Sequence, residues 1–289
     1  MTATQFLTFP APAKLNLFLH IIGRRADGYH ELETAFQFLD HGDNINIRPT
    51  DNGQIELLTP IEGVPDEENL IIKAAKALQL ASQTNKGAQI KLEKYLPMGG
   101  GLGGGSSDAA TILVALNWLW QTNFTLQQLA DIGLKLGADV PVFVHGFAAF
   151  AKGVGEELTP ITPSTYYYLV SKPNVSISTQ AVFTSPDLTR NTPALKLDQL
   201  DIDSCHNDCQ KLVIKQYPEV ANLLAWLVEY APSQMTGTGA CIFSRFDTKE
   251  QAESIQKMLP EQISSFVAKG VNVSPLHQTL EKYQREFTR

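Results

Sequence analysis

The sequence predicts an α+β protein of two domains, and three observations carry that reading. Stretches that alternate apolar and polar residues are interleaved along the chain with stretches at helical spacing. The 289 residues exceed the usual size of a single domain. Near the middle, the Pro/Thr-rich "LTPITPST" (Leu158–Thr165) interrupts both patterns. The expected domains are 1–160 and 161–289.

The first half opens with "AKLNLFLHIIG", in which Leu15, Leu17, Leu19 and Ile21 alternate with Lys14, Asn16, Phe18 and His20. That period of two predicts a half-buried strand. "ADG" (Ala26–Gly28) supplies a turn, and "YHELETAFQFLD" predicts a strand pairing back. "NINIRP" and "QIELLTP" continue as separate strands, and "NLIIKAAKALQLAS" (Asn69–Ser82) has helical spacing. "AQIKLEKYLP" predicts a strand leading into a glycine run, and "SSDAATILVALNWLW" a helix leading out. "TLQQLADIGLKLG" predicts a second helix stopped by Gly137.

In the second half, "TYYYLVSKP", "GACIFSRF" and "SSFVAKGVNVS" read as strands. "NDCQKLVIKQYPEVANLLAWLVEYAP" and "TKEQAESIQKMLP" read as helices. An open sheet backed by helices, ferredoxin-like, fits that order.

Composition removes several function classes. Lys and Arg number 23 against 30 Asp and Glu, a formal charge of −7, which argues against nucleic-acid binding. A small phosphorylated ligand remains possible, because it needs only a local cluster of donors. No run of about 18 apolar residues suggests a membrane span. The first twenty residues lack a basic region and a small-residue cleavage site, so a cytoplasmic protein is expected. Cys205, Cys209 and Cys241 form no C-x-x-C pair, and neither a disulfide framework nor a protein metal site is expected. A monomer or weak homodimer is the expected state.

"LPMGGGLGGGSSDAA" (Leu96–Ala110) packs six glycines into the seven residues Gly99–Gly105. Walker A fails, because Ser106 stands where that motif needs lysine. A G-x-G-x-x-G match exists at Gly99, Gly101 and Gly104, but a further helix follows where a dinucleotide fold needs a second parallel strand. A flexible linker is disfavoured by the flanking strand and strongly apolar helix. Ser106 or Ser107 is the expected N-cap, with Asp108 suiting the helix dipole. A glycine loop ending at a helix start presents backbone N–H groups to an anion, so a phosphate cradle is the preferred reading.

"PMGGGLGGGSSDAA" resembles the second signature of the GHMP kinase superfamily, and departs from its general form by two extra glycines before the serines. That expanded form is similar to one branch, whose acceptor is a cytidine-diphosphate-linked methylerythritol of the non-mevalonate isoprenoid route. The branch's other signatures resemble "PAKLNLFLHIIGRRADGYHELET", "GADVPVFVHGFAAFAKGVGE" and "MTGTGACIF", in the same order. The resemblance spans nearly the whole chain and implies an ATP-dependent kinase with its active site between two domains.

Residue by residue, the resemblance implies Asp139 as the base for the acceptor hydroxyl and Lys14 as its charge partner. Phosphoryl transfer needs chiefly positioning, charge stabilisation and such a base. For ATP it implies the loop of Pro97, Met98, Gly99, Gly100, Gly101, Leu102, Gly103, Gly104, Gly105, Ser106 and Ser107. Asn69, Leu70 and Lys94 would lie near the adenine, and Gly237, Thr238 and Gly239 would close over the phosphates. For the acceptor it implies Asn16, Tyr29, His30, Thr179 and Phe183. Mg²⁺ would accompany ATP, held largely by phosphate oxygens and water. Two rivals stay open: a homoserine-type or other small-alcohol kinase, and a non-catalytic nucleotide sensor on the same fold. An NAD oxidoreductase falls with the missing β-α-β unit.

Overall fold

The structure, a computed structural model, describes residues 5–61 and 63–287. It is organised on a long hairpin. Strand β1 (Leu7–Arg24) runs antiparallel to β2 (His30–Thr50), from Leu7 opposite Ile47 to Arg24 opposite His30. The turn falls on the expected residues: Arg25 N–H donates to the Tyr29 carbonyl at 2.7 Å and Gly28 has φ 90°.

The elements that follow are β3 (Ile55–Leu57), α1 (Leu70–Ser82), β4 (Gly87–Glu93), α2 (Gly104–Trp120), α3 (Leu126–Leu134) and α4 (Val140–His145). Then come β5 (Ala149–Lys152), β6 (Glu157–Pro160), β7 (Tyr167–Lys172), α5 (Thr179–Thr184), α6 (Asp208–Gln216) and α7 (Pro218–Leu227). The chain continues through β8 (Ser233–Met235), β9 (Ile242–Phe246), α8 (Lys249–Gln256), β10 (Ser264–Val271) and α9 (Pro275–Phe287).

One edge of β2 carries β1. Its other edge pairs in turn with β5 at Thr34–Phe36, β10 at Phe38 and Leu39, and β4 at Asn44–Thr50. The sheet runs β3-β4-β2-β10-β7-β9-β8, so the strands of both halves join through β2 and β10. In the second half β10, β7, β9 and β8 are all antiparallel. Helices α6, α7 and α8 bury Val213, Leu223, Leu227 and Ala252 against Leu169 and Ile242 of that sheet, matching the ferredoxin-like expectation. Helix α9 returns to the first half, where Tyr283 packs on Phe9 and stacks on Trp118 with centroids 5.4 and 6.1 Å apart.

Four local readings change. The stretches "YHELETAFQFLD" and "NINIRP" are one strand, because β1 continues its pairing through Gly42 and Asp43. The strand around Lys14 is buried on both faces, with Lys14, Asn16 and His20 at 3, 2 and 4% exposure. It crosses all three apolar clusters, through Phe9 and Ala11, then Leu15 and Phe18, then Leu19 and Ile21. The long helix expected over 207–232 splits into α6 and α7 at Pro218, whose ring lacks the N–H a helix interior needs. Helix α2 begins at Gly104 with Gly103 as its cap, so neither serine is the N-cap. Ser107 instead donates its hydroxyl to the Pro12 carbonyl at 2.7 Å, and Asp108 is buried in an ion pair rather than decorating the dipole.

Candidate active site

A cleft of about 550 Å³ is lined from both halves of the chain. The floor is the glycine loop, Pro97 to Ser106, and the walls come from β1, β2, the start of α1, Ala138–Asp139 and the 237–238 loop. The loop's shape demands its glycines. Gly101 (φ 75°) lies against the 236–239 turn so closely that a Cβ would stand 2.4 Å from the Thr236 carbonyl oxygen. Gly103 (φ 72°) has Phe143 and the Lys14 side chain where a Cβ would go. Both need left-handed backbone and close approach at once, which only glycine gives without strain. The two glycine loops also bond directly: Cys241 N–H donates to the Gly100 carbonyl at 3.2 Å, and Ala240 N–H to that of Gly99 at 3.4 Å.

Lys14 enters from β1, its backbone N–H held by the Leu102 carbonyl at 3.0 Å. Its Nζ lies 3.2 Å from Asp139 Oδ2, donates to Asn16 Oδ1 at 2.5 Å and sits over the Phe36 ring at 5.3 Å. Asp139 is one-third exposed to the cleft while Lys14 is enclosed. Asn16 is itself fixed: its Nδ2 donates to Thr34 Oγ1 at 2.9 Å, and its backbone N–H donates to Thr236 Oγ1 at 2.9 Å. Thr34 passes its own hydroxyl hydrogen to the Phe18 carbonyl. Across the cleft, the hydroxyls of Thr179 and Thr238 pair at 3.0 Å.

At the other end of the loop, Lys94 bridges two buried carboxylates, Asp43 at 2.5 Å and Asp108 at 3.0 Å. Asp43 Oδ1 also accepts the N–H groups of Tyr95 and Leu96, so it ties the start of the loop to the first turns of α2. Burial pushes the Asp108 carboxyl up to about 7, against the pull of Lys94 and with the help of Asp43. Burial opposes the Lys94 ammonium, but Asp108 and Asp43 outweigh it and raise its pKa.

Most of the residues singled out from the sequence line this one cleft: Lys14, Asn16, Asn69, Leu70, Lys94, Pro97 to Ser106, Asp139, Thr179, Phe183, Gly237 and Thr238. Four lie outside its lining. Ser107 is turned under the loop and Gly239 sits behind it against Met235. Tyr29 is 62% exposed at the hairpin tip. His30 lies behind Phe183, the two rings stacked at 5.2 Å. Asn69 acts as the N-cap of α1, its Oδ1 accepting from Ile71 N–H.

The family models of the GHMP kinase N terminal domain and GHMP kinase C terminal domain match residues 69–147 and 192–265. The 4-diphosphocytidyl-2-C-methyl-D-erythritol kinase of Colwellia psychrerythraea is 59% identical over 96% of this chain and 94% of its own. That of Shewanella denitrificans is 59% identical over 94% of this chain and 96% of its own.

The chain belongs to the 4-diphosphocytidyl-2-C-methyl-D-erythritol kinase family of the GHMP kinases.

It is a kinase of that family, and the fold agrees. A crystal structure of 4-(cytidine 5'-diphospho)-2C-methyl-D-erythritol kinase superposes with a TM-score of 0.80 at 29% identity, covering 91% of this chain and 99% of that one. A homoserine kinase from Cytophaga hutchinsonii matches at a TM-score of 0.65 and 15% identity, covering 95% of this chain and 97% of its own, a likeness of fold alone.

The kinase-family cleft contains residues the motifs did not single out. Thr34 and Phe36 reach it from β2, where a period of two places both on the face turned to Lys14. Asp43 and Asp108 hold Lys94 in place, but neither carries a sequence signal separating a buried carboxylate from a surface one. Asn207 donates through Nδ2 to the carbonyls of Met235 and Gly237, holding the 236–239 turn from behind.

Proposed function

We propose that this kinase transfers the γ-phosphoryl group of ATP to the 2-hydroxyl of 4-diphosphocytidyl-2-C-methyl-D-erythritol, as a cytoplasmic step toward isoprenoid precursors. The observation that carries this reading is the Lys14–Asp139 pair, 3.2 Å apart beside the glycine loop. Asp139 has the exposure to meet an acceptor hydroxyl, and Lys14 has the enclosure to stay beside it. Asp139 accepts the hydroxyl proton as the oxygen attacks the γ-phosphorus, and ADP departs with its bridging oxygen. Lys14, anchored by Asn16 and the Leu102 carbonyl, offers its positive charge to the transferring group while orienting the carboxylate.

ATP lies along Pro97 to Ser106, its phosphates on the backbone N–H groups at the start of α2, with Asn69, Leu70 and Lys94 at its base, while Ser107 supports the loop from beneath. Gly237 and Thr238 close the phosphate end, with Gly239 shaping their turn from behind. Among the described residues no group of three or more His, Cys, Asp or Glu side chains is arranged to hold a metal ion. A Mg²⁺ arriving with ATP would be held by the nucleotide's own oxygens and water, and the cleft-lining Ser106 hydroxyl is the protein oxygen we propose could join them. The ion supplies neutralisation of phosphate charge when bound.

On the acceptor side, Phe183, backed by the stacked His30 ring, offers the aromatic surface suited to a cytosine ring, with the exposed Tyr29 at the hairpin tip as its second face. Asn16 and Thr179 offer polar contacts nearer the reacting hydroxyl. The cleft draws on both 1–160 and 161–289, the division we propose for the two domains. Among the described residues no helix is long and apolar enough to cross a membrane.

The test is an acceptor panel with ADP release as readout. Turnover is expected with the cytidyl methylerythritol and not with homoserine, mevalonate or galactose. Equal turnover with homoserine, or none with the cytidyl compound, refutes the assignment.

A further inference from the structure

We infer that Asn207 is a positioning residue for phosphoryl transfer: its side-chain oxygen caps α6, and its side-chain nitrogen fixes the 236–239 turn at the phosphate end of the cleft. The inference rests on the kinase reading above and adds to it what holds the closing turn in register with Lys14.

In the sequence, "CHND" (Cys205–Asp208) marks no more than the start of a helix. In the fold, its last three residues are stitched to the edge of β1 that carries no neighbouring strand. Leu19 N–H donates to the His206 carbonyl at 3.0 Å, and Ile21 N–H donates to Asp208 Oδ2 at 2.6 Å. Strand β1 also carries Lys14 and Asn16, so Asn207 is held in one frame with them. Asn207 is buried, and its amide faces two ways. Oδ1 accepts from Cys209 N–H at 2.9 Å, the N-cap bond of α6. Nδ2 donates to the carbonyls of Met235 at 2.9 Å and Gly237 at 2.8 Å.

The turn depends on that tie, because Gly237 and Gly239 give it no side chains to anchor it. Both adopt left-handed backbone, with φ 57° and 88°, and its position is left to outside contacts. In front lies the glycine loop, so close that a Cβ on Gly237 would stand 3.3 Å from Gly101 Cα. Behind lies Asn207. At the sides, Thr236 Oγ1 accepts Asn16 N–H at 2.9 Å and Thr238 pairs with Thr179 at 3.0 Å. A shift of the turn therefore disturbs the nucleotide and acceptor sides together. In-line transfer is sensitive to such shifts, and a misplacement of about 1 Å costs roughly 10²-fold in rate. Binding is spread over the whole cleft. The loss consequently falls on kcat and leaves both KM values near wild type.

The test removes the nitrogen and keeps the cap. Asn207→Ser retains an uncharged capping oxygen, and Asn207→Asp retains size while reversing the polarity toward the two carbonyls. Each is expected to lower kcat about tenfold or more, with KM for ATP and for the cytidyl acceptor within about threefold. Hydrogen exchange on the full chain without substrate is expected to quicken about tenfold or more at the Gly239 and Cys241 amides of Asn207→Ser. The Leu212 and Val213 amides within α6 are expected to keep their protection. Leu223→Ala, in the apolar cluster of the second half, is the stability control, expected to lower Tm by several degrees with kcat within about twofold. A folded Asn207→Ser with kcat within about threefold of wild type overturns the inference, as does unchanged exchange at Gly239 and Cys241. An equal fall in kcat for Leu223→Ala gives Asn207 a merely structural role and also overturns it, and so does a loss confined to KM. If the cytidyl compound is not a substrate, the acceptor reading fails while the substrate-free exchange still decides whether Asn207 holds the turn.

Discussion

The roles proposed for Lys14 and Asp139 make the sharpest prediction, because a base and a charge partner working on the same oxygen must fail together. The perturbation is a cycle of Lys14→Met, Asp139→Asn and the double variant. At 3.2 Å the two charges attract by about 5 kcal/mol at an effective dielectric of 20, before the exposed third of Asp139 and the desolvation of Lys14 reduce it. Losing the base is expected to lower kcat by roughly 10²–10⁴-fold. Losing the charged donor is expected to lower it by about 10²–10³-fold. Because each prepares the other's task, the double variant is expected to fall to about the level of the worse single one, far short of the product. Lys14→Met also leaves Asn16 Oδ1 without its donor, a loss of about 1–3 kcal/mol in stability, seen as a drop of several degrees in Tm. The assay is coupled ADP release with ATP and acceptor both saturating, beside thermal unfolding of each variant. Either single variant within threefold of wild type while folded, or a double variant equal to the product, refutes the paired role.

Two further outcomes follow from local geometry. Gly101→Ala places a methyl 2.4 Å from the Thr236 oxygen at φ 75°, and left-handed alanine alone costs about 1–2 kcal/mol, so the two loops must part. Affinity for a non-hydrolysable ATP analogue, measured by calorimetry, is expected to fall more than tenfold; unchanged affinity refutes the tight-loop reading. His20 is buried with neither ring nitrogen hydrogen-bonded, and burial foremost, aided by His206, holds its pKa below 6.5 against Asp208 and Glu33. Its neutral form is therefore stabilising above pH 6.5, and that contribution is lost as pH falls through the lowered native value. His20→Phe is expected to flatten the decline of Tm between pH 7 and 5, and an unchanged slope refutes the assignment.

Much of the molecule was legible in the chain. Strand periods, the turn at Ala26–Gly28 and the glycine run are local signals, set by side-chain alternation and by the backbone freedom of glycine. They placed the hairpin, α1 and the strand–loop–helix unit, while four ordered motifs pointed to the family. Boundaries slipped where the deciding partner is distant. Ser106 and Ser107 look like caps until Pro12, about 95 residues earlier, takes the Ser107 hydroxyl. "NINIRP" looks like a new strand until β1 is seen to pair straight through it.

What the tertiary structure alone decided is which groups meet. Lys14 and Asp139 are 125 positions apart, and nothing local marks either as more than a strand residue and a loop residue. Asp43 and Asp108 become a clamp on Lys94 only when β2, the end of β4 and α2 converge. Arg190 meets His30 only when the segment after α5 folds back onto the hairpin turn. Sequence period reports which face of an element is apolar. It carries no information about which distant element covers that face, and the cleft is built from such coverings.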